Sequence, residues 1–185
     1  QYLRSMIIEI TGEDLPIAVT EVNSHWSNAI GGEATPDSYM NAIWWGDALG
    51  RMISNGVEIV NYFSLQSNNS IGGYGLFARS EPRPTYYVYQ IYQEMGEELV
   101  FAGCDDPGLR VYASTDEEGA LTVILINMDE KPISSALKVT GEQINLAAAQ
   151  RLDEQKLYYE LPLAVFEVLE NLSVPQYSIT LLKFE

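Results

Sequence analysis

The hydrophobic period of this chain changes once, near residue 98, and that change limits its fold more than any other feature. Ahead of it, Leu3, Met6, Ile7 and Ile10 recur at helical spacing, and Gly12 supplies a stop. Leu15 to Val22 is a short apolar, β-branched run of the buried-strand type. A second helix follows, with Thr35 or Asp37 as its cap, Pro36 in its first turn and Gly56 at its close. Tyr39, Ala42, Ile43, Gly46, Leu49, Gly50 and Ile53 form its stripe, where the two glycines predict close approach to a sheet. Val57 to Phe63 is a second buried-type strand. Pro84 opens a third helix, striped by Tyr87, Val88, Ile91, Tyr92, Met95 and Leu99. Helices alternating with strands that are apolar on both faces predict a parallel sheet covered by helices.

After residue 98 the pattern is short β-rich runs, among them LRVYAST, ALTVILINM and YSITLLKFE, separated by turn clusters such as DDPG, DEEG and DEKP. These predict a small antiparallel β-sandwich over residues 99–185. The stretch EQINLAAAQRLDEQ is read as a strand, although its alanines favour helix locally. The α/β part then occupies residues 1–98.

Ten Lys and Arg stand against 26 Asp and Glu, a formal charge of −16. Such a surface repels phosphate backbones and anionic bilayers, so neither nucleic acid nor membrane is expected as a partner. Cys104 and His25 are each alone, which excludes an internal disulfide, a thiol-rich metal site and a His-based zinc site within this chain. No apolar run is long enough to span a bilayer. Twelve tyrosines suit carbohydrate surfaces and plain sheet packing alike. The opening QYLRSMIIEITG reads as the middle of a helix, which predicts that the chain is part of a larger protein.

In parallel α/β folds functional groups collect at the C-terminal ends of strands. The first strand ends in Glu21, Asn23, His25 and Trp26, the second in Ser64 and Gln66. A carboxylate there can attack an anomeric carbon, a Trp can stack on a sugar face, and amides can bond hydroxyls. Each residue also has a plainer reading: Glu21 as a solvated strand-end carboxylate, Trp26 as a packing lid, His25 as loop filling. Trp44 and Trp45, about 100° apart on one helix, are read as structural. The GGYG at residues 72–75 lacks the Lys-Ser/Thr of a phosphate loop and is read as a turn, or as a rim that brings Tyr74 over the site.

Taken in order, PIAVTEVN, a Gly-Gly loop, SYMNAIWWGDALGRMISNGVEIVNYFSLQ, GGYGLF and RPTYYVYQIYQEMG resemble the end of the catalytic barrel in clan-A retaining glycoside hydrolases. The likeness is to the group of heparanase-like β-glucuronidases, α-L-arabinofuranosidases and β-xylosidases, and NLSVPQYSITLLKFE is similar to their last sandwich strand. The resemblance implies the last β/α units of a (β/α)₈ TIM barrel followed by a β-sandwich. It implies Glu21 as the nucleophile, and Asn23, His25, Trp26, Gln66 and Tyr74 as substrate-binding residues. It implies no cofactor, a carbohydrate substrate and an extracellular parent. The family's acid/base Glu lies upstream of anything in this chain, so the isolated chain is expected to be inactive. Exposed barrel edges predict a partner, either the N-terminal remainder of the barrel or another copy. Two rival readings are a non-catalytic carbohydrate-binding module and a degenerate barrel kept for protein contacts.

Overall fold

A computed structural model describes residues 2–27, 32, 35–140, 145–166 and 169–185. Helix α1 (Tyr2–Thr11) stops at Gly12, whose φ of +76° suits glycine. Strand β1 (Ile17–Val22), helix α2 (Tyr39–Ser54) and strand β2 (Val57–Tyr62) follow, and the two strands pair in parallel around α2 as the crossover. Short strands β3 (Gln66–Ser67), β4 (Phe77–Ala78) and β5 (Glu81–Pro82) form a small rim sheet ahead of α3 (Pro84–Tyr92). Strands β6 (Glu98–Val100), β7 (Leu109–Thr115), β8 (Leu121–Asn127), β9 (Ile133–Ser135), β10 (Leu146–Asp153), β11 (Leu157–Glu160), β12 (Leu172–Val174) and β13 (Ser178–Phe184) complete the chain.

Six of these make one antiparallel sheet in the order β11-β10-β13-β8-β7-β6, while β9 and β12 pair separately. The alanine-rich stretch is strand β10, as read, because both its edges are taken by β11 and β13. β8 is buried along its whole length, which explains why LTVILIN shows no polar alternation. Ile124 and Ile126 face the helices with Leu152, Ile179 and Leu181, packed on Ala42, Ile43, Trp45, Leu49, Val88 and Ile91. Val123 and Leu125 face the other way with Leu182 and Phe184, packed on Ile133, Leu172 and Val174. Residues on both sides of position 98 therefore share one of these cores.

α2 starts later than the sequence suggests. Ser38 is the cap, its hydroxyl accepting from the Asn41 amide at 3.2 Å. Thr35 and Asp37 are committed elsewhere, the Thr35 hydroxyl donating to Asp37 at 2.6 Å and Asp37 accepting from the Gly72 amide at 2.6 Å. α3 begins at Pro84, as expected, but ends at Tyr92, so Met95 and Leu99 lie beyond it.

The glycines of α2 sit where the helix touches the antiparallel sheet. A Cβ on Gly46 would lie 2.7 Å from Ile179 Cδ1, and one on Gly50 2.4 Å from Tyr92 Oη and 2.5 Å from the Tyr112 ring. Both tyrosines are tethered, Tyr92 donating to the Gly46 carbonyl at 2.7 Å and Tyr112 to the Asp47 carboxylate at 2.7 Å. They cannot swing aside. Gly50→Ala gains helix propensity worth ~1 kcal/mol but overpacks at the upper end of the usual 1–3 kcal/mol. A net loss of about 2 kcal/mol, roughly 4–8 °C in Tm, is expected in a thermal melt. An unchanged or raised Tm would mean that the helix stands off the sheet.

β1 and β2 are less buried than their apolar sequences suggest: Ala18, Thr20, Glu58 and Ile59 are exposed. No residue of α1 is buried, and Leu3, Met6, Ile10 and Leu15 are exposed beside it. Within the described residues, one side of the parallel pair and the apolar stripe of α1 are left uncovered. Arg4 holds α1 in place by donating to the Gly56 carbonyl at 2.6 Å.

Candidate active site

β1 and β2 run side by side, with Val22 opposite Tyr62, so their C-terminal ends open at one edge. The Phe63 amide extends the pairing by donating to the Val22 carbonyl at 2.9 Å. A cleft of about 260 Å³ lies there, lined by Glu21, Val22, Asn23, Ser24, His25, Trp26, Phe63 and Tyr74. Five of the six site residues that the resemblance implies thus come together. Gln66 does not: its amide donates to the Arg79 carbonyl at 2.5 Å within the rim sheet. Val22, Ser24 and Phe63 were missed. Phe63 was accessible in principle, since parallel pairing of two strands of equal length puts the residue after Tyr62 beside Asn23.

Glu21 is exposed and is the one carboxylate among the described lining residues. Asn23 does not point freely at solvent. Its Nδ2 donates to the carbonyls of Phe63 and Tyr74, and its Oδ1 accepts from the Ser24 amide at 2.7 Å. It joins the two strand ends at the cleft. Beneath it, Asn41 Nδ2 donates to the Tyr62 hydroxyl and to Thr85 Oγ1, both at 2.8 Å. Burial raises the Tyr62 hydroxyl pKa, against hydrogen bonds with Asn41 and Asn23, so the phenol stays neutral.

The His25 and Trp26 rings are nearly parallel, 18° apart with centroids at 6.0 Å, and Trp26 is 91% exposed. An exposed indole beside a carboxylate can take the apolar face of a pyranose. His25 Nδ1 lies 3.1 Å from both the amide nitrogen and the carbonyl oxygen of Ser27 and 3.0 Å from its hydroxyl, which pins the ring to its own loop. Tyr74 spans the cleft mouth. Its hydroxyl donates to the Trp26 carbonyl at 3.2 Å, its ring sits 5.4 Å from that of Phe63, and its carbonyl accepts from the Ser64 amide at 3.2 Å. Among the described residues no group of three or more His, Cys, Asp or Glu converges as a metal site.

Asp37, behind the rim, has its pKa raised by burial, but hydrogen bonds from Thr35 and Gly72 and the charge of Arg83 outweigh that and leave it below 3.8. A carboxyl with a depressed folded pKa stabilises the fold above its unfolded pKa, and the contribution is lost as pH falls through the folded value. The stability gap between wild type and Asp37→Asn is therefore expected to be constant above pH ~5 and to close as pH drops below about 4. Denaturant titrations at stepped pH measure it; a gap that persists at low pH would contradict the assignment.

No protein-family model matches the chain. A β-xylosidase of Geobacillus stearothermophilus is 23% identical over 139 residues, covering 68% of this chain and 25% of that protein. The structure of a glycoside hydrolase family 30 subfamily 8 xylanase from Clostridium acetobutylicum superposes with a TM-score of 0.70 at 14% identity, over 97% of this chain and 44% of that one. An arabinofuranosidase structure gives a TM-score of 0.69 at 18% identity, over 100% and 46%. The chain spans from a quarter to just under half the length of these relatives. The likeness read from its motifs is carried by its backbone: this chain has a mixed α/β fold found within glycoside hydrolases.

Proposed function

We propose that this chain is the C-terminal portion of a retaining glycoside hydrolase acting on poly- or oligosaccharides, and that Glu21 is its nucleophile. The observation that carries the reading is Glu21 at the C-terminal end of a parallel strand, facing a cleft shared with Trp26, His25 and Tyr74. Residues 1–98 would supply the last β/α units of a (β/α)₈ barrel, which takes about 250 residues when complete. Residues 99–185 would form the accessory β-sandwich. The uncovered side of β1 and β2 and the apolar stripe of α1 fit this, since both need a covering layer.

Glu21 attacks the anomeric carbon and forms a glycosyl ester, while a carboxylic acid from the remainder of the barrel protonates the departing oxygen. Deprotonated, that group then activates water, which opens the ester with a second inversion. The two carboxyls must lie about 5–5.5 Å apart for this route. The chain by itself holds one of them and should not turn over. The test is the configuration of the sugar first released by the intact hydrolase, followed by proton NMR before mutarotation. The starting anomer is expected; the opposite anomer would exclude a covalent role for Glu21.

A further inference from the structure

The rim loop of residues 72–75 is gripped from both sides by buried or half-buried charges that the chemistry above does not use. Arg83, 6% exposed just ahead of α3, donates Nη1 to the carbonyls of Gly73 at 3.0 Å and Gly75 at 3.2 Å, and Nη2 to that of Gly72. Asp37, just ahead of α2, accepts from the Gly72 amide. A guanidinium taken out of water is costly unless its donors are met, and here carbonyls of one short loop meet both of its terminal nitrogens. Gly72 and Gly73 have φ of +74° and +79°, a left-handed backbone that lets successive carbonyls turn toward one donor group. Gly75 lies against β3, where a Cβ would be 2.3 Å from the Ser67 nitrogen.

What the loop carries is Tyr74. Its carbonyl is bonded by the Ser64 amide and Asn23, and its hydroxyl by way of the Trp26 carbonyl reaches the other strand end. We propose that Arg83, acting with Asp37, is a positioning residue that fixes the rim loop so that Tyr74 closes the substrate cleft against the Trp26 segment. Neither charged group touches the cleft; each acts through the loop. The catalytic consequence rests on the glycoside-hydrolase reading, whereas the clamp on the loop does not.

The test begins with amide hydrogen exchange on the chain in wild type and Arg83→Lys, which keeps the charge and loses the fork. Exchange at the Gly72 and Ser64 amides is expected to speed up at least about tenfold, while the β8–β13 ladder keeps its protection. Unchanged exchange at both amides would overturn the proposal. If R83K does not fold, Asp37→Ala is read at the Ser64 amide alone, since Asp37 is itself the acceptor of the Gly72 amide, and unchanged exchange there would overturn the proposal. In the intact hydrolase, R83K should raise KM more than it lowers kcat, and should add little to Tyr74→Ala, because both remove the same closure. An equal loss on both backgrounds would show that Arg83 acts elsewhere, and would also overturn it. Full turnover by Glu21→Gln would remove the hydrolase reading and leave the exchange result to judge the clamp.

Discussion

Glu21→Gln in the intact hydrolase is expected to lower kcat by on the order of 10⁴-fold or more while leaving the fold untouched. The amide matches the carboxylate in size but has no charge with which to attack an anomeric carbon or to balance the positive charge that develops there. Glu21 is exposed at the end of β1, so its loss should move stability by no more than about 0.5 kcal/mol. KM should change little, because the sugar contacts proposed for Trp26 and Tyr74 would remain. A second variant separates a nucleophile from a merely stabilising carboxylate. In Glu21→Ala, azide can enter the vacated space and bond to the anomeric carbon as the leaving alcohol departs with its proton. The product is then a glycosyl azide of inverted configuration. Activity within tenfold of wild type in Glu21→Gln would end the account.

Trp45→Ala carries the largest expected cost in stability. Trp45 is fully buried, with the Tyr62 ring at 4.9 Å edge-on and the Tyr89 ring at 5.9 Å, and it belongs to the core between α2, α3 and the six-stranded sheet. Removing such a side chain costs about 3–5 kcal/mol, or roughly 6–20 °C in Tm for a chain of this size. The hole would open beneath β2, below Tyr62 and the Asn41 hydrogen bonds that support Asn23. Trp44, its partly buried neighbour, should cost less, about 1–2 kcal/mol on the same truncation, since it packs at the margin of that core and keeps part of its surface in solvent. Similar losses at the two positions, measured by thermal melts, would mean that the helix is rotated from the orientation described.

The order of elements was legible because it follows from local pattern. A 3.6 period in α2 and α3, β-branched runs in β1 and β2, and Pro84 at a helix start each state their structure within a few residues. Gly46 and Gly50 even announced the close contact, though not that the partner would be the antiparallel sheet. What the sequence hid depends on contacts distant along the chain. Ser38 rather than Thr35 or Asp37 caps α2 because Gly72, more than thirty residues on, claims Asp37. In the cleft, Glu21, Asn23, His25, Trp26 and Tyr74 were found, the first four from strand-end position. Gln66 was misplaced because the turn after β2 carries it into the rim sheet, a geometry that spacing along the chain does not encode. Asn23 lies in the cleft as read, and its hydrogen bonds to the Phe63 and Tyr74 carbonyls, which spacing along the chain does not announce, tie the strand ends together.

The most direct test is to trap the intermediate. A glycoside with fluorine at C2 and a good leaving group slows both steps by disfavouring positive charge at the anomeric centre. The leaving group restores only the first step, so the ester on the nucleophile accumulates. Intact mass of the hydrolase should rise by one fluoroglycosyl unit, and peptide mapping should place it on Glu21, within Ile17–Val22. A label on another carboxyl, or steady turnover of the probe with no label and an inverted product, would contradict the account.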